Sequence, residues 1–199
     1  MSELISLVIK GGPVMAPLLL CSVVSLAVTI ERILFWRKGG GAEEADRMLA
    51  MVDAGDADKA MAIGRASAAP VPRVLAAGLA HRNPSPAKAM EAEAQTEMPR
   101  LKQRLTVLDS VVTLAPLLGL LGTITGMIGS FGIMSEAGIG QPHAVTGGVA
   151  EALIATATGL LIAILTLIPY NYFSHRAERQ MDEIEKYATR LELMLAEKK

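Results

Sequence analysis

The sequence predicts an all-α integral membrane protein with three transmembrane helices, the second and third of which extend into a cytoplasmic helical bundle. Three observations lead to this prediction. The 199 residues are 51% hydrophobic, with a mean hydropathy of +0.39, which is too apolar for an ordinary soluble domain. The excess is concentrated in three runs, each long enough to cross a hydrocarbon core, which takes about 20 helical residues. No stretch alternates apolar and polar residues in the manner of a half-buried strand.

The predicted segments alternate between membrane and solution. In order, they are a periplasmic N-terminus (1–12), transmembrane helix 1 (13–36), a cytoplasmic helical region (37–107), transmembrane helix 2 (108–134), a periplasmic loop (135–144), transmembrane helix 3 (145–173) and a cytoplasmic C-terminal helix (174–199). Of the 19 Lys and Arg residues, 11 lie in the cytoplasmic region and six in the C-terminal helix, whereas the loop has none. Because basic residues collect on the cytoplasmic side, the N-terminus is predicted to be periplasmic and the C-terminus cytoplasmic. We expect the first run to be a retained helix, since Glu31-Arg32 lies near its end and no convincing signal-peptide cleavage site is seen.

Two hydrophilic stretches carry apolar residues at alternating spacings of four and three, which is typical of helices that pair. One precedes the second membrane run and the other follows the third; their members are Ala87, Met90, Ala94, Met98, Leu101, Leu105 and Leu108, and Ala177, Met181, Ile184, Ala188, Leu191 and Leu195. Each stretch is predicted to continue a membrane helix into the cytoplasm, with Pro99 as a site of bending. The spacing fits packing within one subunit and packing between subunits, and both interpretations stay open.

Glu151 is the only carboxylate well inside the third apolar run. An acidic group at that depth costs about 3 kcal/mol even on the lenient insertion scale, so such residues usually have a partner, a water cavity or a function. This position predicts a role in ion movement through an assembly rather than simple anchoring.

Small residues recur at helical spacing in both the second and the third runs. They are Gly119, Gly122, Gly126 and Gly129 in the second run, and Gly148, Ala152, Ala155 and Gly159 in the third. Glycine is a poor helix former in water, so this repetition indicates close helix–helix contact within the membrane.

A polar line runs beside the glycine face of the second run. Asp109, Thr123 and Ser130 are separated by multiples of seven residues, which keeps them within a narrow angular band. They are predicted to share one lining, with Asp109 at the cytoplasmic entrance and Thr123 near the middle of the membrane. The alternative is that the two hydroxyls only bond to their own backbone, which is common in membrane helices; spacing alone slightly favours this alternative.

Two threonines of the third run are candidate neighbours of Glu151. Thr156 lies about 140° around the helix from Glu151, at about 100° per residue, so the two border the small-residue stripe on opposite sides. Thr158 lies on nearly the same face as Glu151, and helical geometry alone favours Thr158 as its neighbour.

Two motifs in these runs carry a family resemblance. Ala115-Pro-Leu-Leu-Gly-Leu-Leu-Gly-Thr-Ile-Thr-Gly-Met-Ile128 and Ala150-Glu-Ala-Leu-Ile-Ala-Thr-Ala-Thr-Gly-Leu-Leu161 resemble the paired membrane signatures of the MotA/TolQ/ExbB proton-channel family. The three-span layout and the chain length are similar to ExbB- and TolQ-type members, whereas MotA-type members have four spans.

The resemblance implies a proton-channel subunit of the bacterial inner membrane. It implies a homopentamer around single-span ExbD/TolR-type partners, whose membrane aspartate carries the proton, and work done on a TonB-type transducer. The pore-lining threonine of the second span falls on Thr123, and the acid and threonine of the third on Glu151 and Thr156. The resemblance thus favours Thr156 where angular position favours Thr158, and extra polarity is expected at Thr125, where a tryptophan is common in the family.

Other classes of function have little support in the sequence. The glycines between Gly119 and Gly126 lack the Gly-Lys-Ser/Thr ending of a phosphate-binding loop, and the three histidines show no metal-ligand spacing, so we expect no enzyme activity, metal or cofactor. Aromatic residues make up 4% of the chain and basic residues are explained by topology, so nucleic acid is not an expected partner. The open alternatives are a TolQ-like subunit for envelope maintenance and a membrane scaffold that conducts nothing.

Overall fold

The computed structural model describes residues 10–37, 39, 41–82, 85–137 and 142–197, and every regular element within these ranges is a helix. The helices are α1 (Met15–Trp36), α2 (Ala42–Asp53), α3 (Ala57–Ala66), α4 (Pro70–Ala80), α5 (Pro86–Leu101), α6 (Leu105–Ala137) and α7 (Pro142–Glu197). Of these, α1, α6 and α7 contain segments long and apolar enough to cross a membrane, which confirms the three-span prediction. Most of the predicted N-terminus (1–9) and part of the predicted loop (138–141) lie outside the described residues.

The chain divides into two compact units, and α1 and α7 contribute residues to both. Unit 1 takes its residues from Met1–Glu31 and Arg104–Asn171, and unit 2 from Arg32–Gln103 and Tyr172–Lys199. Unit 1 therefore contains most of the predicted membrane segments, and unit 2 contains α2 to α5 with the C-terminal part of α7.

In unit 1, parts of α1, α6 and α7 pack around an apolar cluster. Its buried members are Val14, Met15, Leu18, Val111, Ala115, Ile162 and Ala163. The helices α1 and α7 run parallel, because Gly12 lies beside Glu151 and Ser25 lies beside Thr166 farther along both helices. Large apolar side chains on the other faces of these helices are exposed, as expected for surfaces that contact lipid or another membrane helix.

In unit 2, glycines allow the short helices to approach one another closely. A methyl group on Gly64 of α3 would lie 2.7 Å from the Ala76 Cβ of α4, and one on Gly78 of α4 would lie 2.6 Å from the Met90 Cγ of α5. The helix α5 begins after Ser85, whose hydroxyl oxygen accepts a hydrogen bond from the backbone N–H of Lys88 at 3.4 Å, a normal N-terminal cap.

The C-terminal apolar stretch packs within the chain. Its members Ala177, Ile184 and Leu191 are buried in unit 2, which favours the interpretation of packing within one subunit for these residues. Tyr187 is buried on the same part of α7. Its burial raises the pKa of the Tyr187 hydroxyl above its usual 10.0, and the hydrogen bond to Asp46 and the negative charge of Asp46 raise it further.

The apolar stretch before the second membrane run is divided between two helices instead of continuing the membrane helix without a break, contrary to the prediction from spacing. The helix α5 ends at Leu101 and α6 begins at Leu105, and Arg104 between them has a φ of 64°, a left-handed conformation that interrupts a right-handed helix. The predicted bend at Pro99 is not where the helix is interrupted. Pro99 lies inside α5, and the interruption follows the end of that helix.

The face that α5 buries also differs from the predicted seam. Met98 is 39% exposed, whereas the neighbouring Glu97 is 4% exposed. The Glu97 carboxylate accepts two charged partners, Arg73 at 2.8 Å and Arg100 at 3.1 Å. A buried carboxylate is tolerated only with such partners, and because Arg73 lies on α4, this pairing favours burial of Glu97 over that of Met98.

Candidate functional site

The helices α6 and α7 of unit 1 pack antiparallel through the small residues of both motifs. A methyl group on Gly119 would lie 3.0 Å from the Thr156 Cα, and one on Gly126 would lie 2.9 Å from the Gly148 carbonyl oxygen. Farther along the pair, a methyl group on Gly159 would overlap the carbonyl oxygen of Ala115. These contacts join backbone to backbone, which is the arrangement that small residues permit in membrane helices.

The remaining predicted packing residues divide into two groups. A methyl group on Gly122 would lie 2.5 Å from the Ala155 Cβ, and both Ala155 and Ala152 are buried. Gly129 differs, because a methyl group added to it would meet no described atom within 4 Å. Among the described atoms, Gly129 therefore makes no close α6–α7 contact, and its role in helix packing stays a prediction.

The hydroxyls of Thr156 and Thr158 have different partners. The Thr156 hydroxyl donates a hydrogen bond to the Gly119 carbonyl oxygen of α6 at 2.8 Å, so it links the two helices. The Thr158 hydroxyl donates to the Ile154 carbonyl oxygen of its own helix at 2.8 Å. Both side chains are half-buried.

The polar line on α6 is not uniformly exposed. Thr123 is half-buried and its hydroxyl donates to the Leu120 carbonyl oxygen of the same helix at 2.6 Å. Ser130 is buried, donates to the Gly126 carbonyl oxygen at 2.9 Å, and packs on Gly148. Asp109 is exposed. The two hydroxyls thus bond to their own backbone, the arrangement that spacing alone slightly favours.

Glu151 contacts a turn that the sequence analysis missed. Gly12, which precedes α1, has a φ of 73° and lies so close to the Glu151 carboxylate that a methyl group on Gly12 would overlap it. The adjacent Gly11 is buried, and a methyl group there would lie 3.2 Å from the Ile154 Cγ2 of α7. The pair Gly11-Gly12 before an apolar run is the signal that predicts such a close approach.

Glu151 and Thr156 thus lie on different sides of α7. The carboxylate faces the turn before α1, and the Thr156 hydroxyl faces α6. The Glu151 side chain is half-buried, and its carboxyl group can accept a hydrogen bond on the side of α7 that does not face α6. The Thr123 and Thr156 hydroxyl oxygens can each accept a further hydrogen bond.

A second polar contact within unit 1 joins α1 to α7. The hydroxyl oxygens of Ser25 and Thr166 lie 2.7 Å apart, and both residues are buried. Because the Thr166 hydroxyl donates its proton to the Ile162 carbonyl oxygen at 2.8 Å, the Ser25 hydroxyl is the donor between the helices. A polar residue within each apolar helix is the only sequence signal of this pair.

Metal binding has no evident place in this arrangement. Within the described ranges, no three His, Cys, Asp or Glu residues are grouped so as to hold a metal ion. The Glu151 carboxyl group and the Thr123 and Thr156 hydroxyls can form hydrogen bonds with water or with a partner chain.

Comparison with known proteins places this site inside a described family region. The family model of the MotA/TolQ/ExbB proton channel family matches residues 66–186, a range that includes Thr123, Glu151 and Thr156. The putative biopolymer transport protein ExbB-like 1 of Synechocystis sp. is 38% identical over 199 residues, covering 95% of this chain and 78% of that protein. The putative biopolymer transport protein ExbB-like 3 of the same organism is 33% identical over 191 residues, covering 92% of this chain and 91% of that protein. The Tol-Pal system protein TolQ of Pseudomonas aeruginosa is 36% identical over 112 residues, covering 56% of this chain and 48% of that protein.

Proposed function

This chain belongs to the MotA/TolQ/ExbB proton channel family, and from that premise we propose that it is an ExbB-like subunit of an inner-membrane proton channel. In this proposal, the chain forms a homopentamer around an ExbD-type single-span partner and uses the proton motive force to energise a TonB-type transducer for active transport across the outer membrane. The N-terminus is periplasmic, the C-terminus is cytoplasmic, and membrane lipid covers the outward apolar faces.

The position of Glu151 carries the proposal. Its carboxylate lies in the apolar segment of α7, half-buried, beside a helix pair packed backbone to backbone. A carboxyl group in such a segment is expensive to retain without a function. The ExbB-like relatives, named as putative biopolymer transport proteins, support the transport role over simple anchoring.

The proposed mechanism assigns proton passage to several chains. Glu151, Thr123 and Thr156 of neighbouring subunits line a hydrated lumen and exchange hydrogen bonds with water, and the partner's membrane carboxylate carries the proton. At about 100 mV, each proton releases about 2.3 kcal/mol, so a few protons suffice to bias the movement of the partner among the helices. Glu151 supports this passage and is not itself the carrier.

Proton flux in reconstituted vesicles tests the proposal. We expect vesicles that contain this chain together with an ExbD-type partner to dissipate an imposed pH gradient, because the lumen needs both proteins. Flux is measured with an internal pH-sensitive dye under a potassium diffusion potential.

The controls separate conduction by the complex from leakage. Vesicles with this chain alone, with the partner alone, or with a partner that has Asn in place of its membrane aspartate should hold the gradient. The absence of gradient-dependent flux from a correctly assembled complex would favour a non-conducting scaffold instead.

A TolQ-like role and a scaffold role each have an observation in their favour. The match to a Tol-Pal system protein over 56% of this chain favours the first. The Thr123 hydroxyl, which bonds to its own backbone, favours the second because a scaffold needs no free hydroxyl. Co-purification of the complex with a Tol-type rather than a TonB-type transducer would select the TolQ-like role.

A further inference from the structure

A polar cavity of about 380 Å³ lies in unit 2 beside the end of the apolar part of α7. Its lining consists of Ala42, Tyr172, Arg176, Arg179, Gln180 and Glu183. Two of these six side chains are guanidinium groups, and the site described above uses none of the six.

Arg176 is fixed in place by its neighbours. Its guanidinium donates to the Tyr172 hydroxyl at 2.9 Å and to the Trp36 carbonyl oxygen at 3.1 Å, and it lies 5.1 Å from the centroid of the Trp36 ring. These contacts use two of the five N–H donors of the side chain. Because Arg176 is already held in one position, its remaining N–H donors can bind a ligand at the cavity with a smaller loss of side-chain conformational entropy than a mobile arginine would have.

Arg179 supplies a second charge to the cavity. Its side chain is exposed, and it makes no hydrogen bond or ion pair with any residue in the described ranges. The one carboxylate of the lining, that of Glu183, accepts a hydrogen bond from the Gln180 side-chain amide at 3.0 Å. The lining therefore has a net positive charge with guanidinium donors available to a ligand.

The location of the cavity indicates the source of the ligand. Tyr172, which lines the cavity, lies near the end of the apolar run of α7, and Trp36, whose carbonyl oxygen and ring contact Arg176, ends α1. Both are residue types that are enriched at the level of lipid headgroups. Basic cavities at the cytoplasmic ends of membrane helices suit the phosphates of anionic lipids, and guanidinium groups bind phosphate with charge-assisted hydrogen bonds.

We propose that the cavity bordered by Tyr172, Arg176 and Arg179 binds a phosphate group, namely that of an anionic phospholipid headgroup. The Arg176 and Arg179 guanidinium groups donate to the phosphate oxygens, and the Tyr172 hydroxyl orients Arg176. The inference does not depend on the proposed proton conduction; it requires only that this end of α7 lies at the membrane surface.

The sole tryptophan of the chain makes the test direct. Trp36 emission of the full-length protein in a non-ionic detergent is titrated with short-chain phosphatidylglycerol, and in parallel with short-chain phosphatidylcholine. We expect a saturable change with phosphatidylglycerol only. Arg179→Gln should weaken that binding about fivefold, the factor that corresponds to about 1 kcal/mol per basic residue near a lipid surface.

The comparison variants keep the result interpretable. Arg176→Gln should also weaken binding, and because it removes a contact to Trp36, Arg179→Gln is the variant that tests the charge without that loss. Arg190→Gln is the matched control, since Arg190 is an exposed arginine on the same helix that pairs with Asp46 at 3.3 Å and lies outside the cavity; it should bind like the parent.

Three outcomes would overturn the proposal. Equal responses to phosphatidylglycerol and phosphatidylcholine, or equal binding by the Arg179→Gln and Arg190→Gln variants, would exclude a phosphate site here. Saturable binding of inorganic phosphate or glycerol phosphate, with displacement of phosphatidylglycerol at similar concentrations, would show that the site serves soluble phosphates rather than lipid.

Discussion

Gly12 and Glu151 are the residue pair whose contact the proposed function depends on most closely. The positive φ of Gly12 brings its backbone against the Glu151 carboxylate. The turn before α1 therefore limits the positions that this carboxylate can adopt, although the turn itself lies outside the region that matches the family model.

Substitution of Gly12 by alanine should harm the protein in two separable ways. The left-handed conformation costs a residue with a Cβ about 1–2 kcal/mol, and the added methyl group must displace the Glu151 carboxylate. We expect a lower unfolding temperature in detergent and a reduced proton flux in the reconstituted complex.

Gly55→Ala is the matched control for backbone strain. Gly55 has a φ of 88° but no described atom within 4 Å of an added Cβ. Gly55→Ala therefore introduces backbone strain without a steric clash. In a double-mutant cycle, adding Gly12→Ala to the Glu151→Ala variant should destabilise that variant by about as much as Gly55→Ala destabilises the parent. An unchanged cost of Gly12→Ala in the Glu151→Ala background would mean that the contact has no energetic importance.

At the scale of elements, the α6–α7 pair is defined by close backbone contacts. Gly159 lies against the backbone of Ala115 and Gly119, and backbone atoms cannot move aside as a flexible side chain can. The hydrogen bond from Thr156 to Gly119 depends on this same closeness. Separation of the helices would therefore alter both packing and the position of Thr156.

Gly159→Ala should separate the two helices and destabilise the chain. The expected loss is about 1–3 kcal/mol, the usual range for an overpacked contact, measured as the free energy of unfolding in mixed micelles. Gly132→Ala is the control, because Gly132 also lies in a membrane helix and meets no described atom within 4 Å. A Gly159→Ala variant as stable as Gly132→Ala would contradict the close packing of α6 on α7.

The helices themselves were largely predictable from sequence, whereas several contacts between them were not. Long apolar runs predicted three helices long and apolar enough to cross a membrane, and the structure has them, because length and composition dominate in that environment. The break at Arg104 was missed because its residue type gives no sign of a left-handed conformation. The burial of Glu97 depends on Arg73, 24 positions away in the sequence, and no local spacing reveals such a partner.

For the candidate site, the sequence predicted which residues take part but did not predict their arrangement. The motifs selected Glu151, Thr123 and Thr156, and the glycine pattern indicated close packing. Only the three-dimensional contacts show that the Thr156 hydroxyl bonds to α6 and that the Glu151 carboxylate faces the turn at Gly12. The Ser25–Thr166 contact was likewise not predictable from the sequence. The residues that line a lumen between chains stay a prediction.

At the scale of the whole molecule, one chain leaves much of its membrane surface uncovered. Leu20 on α1, Ile128 on α6 and Ile168 on α7 are 65%, 66% and 66% exposed. Such surface is stable only against lipid or other membrane helices. This exposure fits a chain whose membrane helices contact lipid or other chains; a lumen between chains stays a prediction.

The most direct measurement is the proton flux of the complex with Glu151→Gln, a change that keeps the size of the side chain and removes its carboxyl group. We predict normal assembly with the partner and a flux lower by about tenfold or more, the factor that about 1.4 kcal/mol in the barrier produces. Thr123→Val should also lower the flux, whereas Thr125→Val, on the other side of the same helix, should lower it much less. Parental flux in correctly assembled Glu151→Gln and Thr123→Val complexes would contradict the assignment of the proton pathway to these residues.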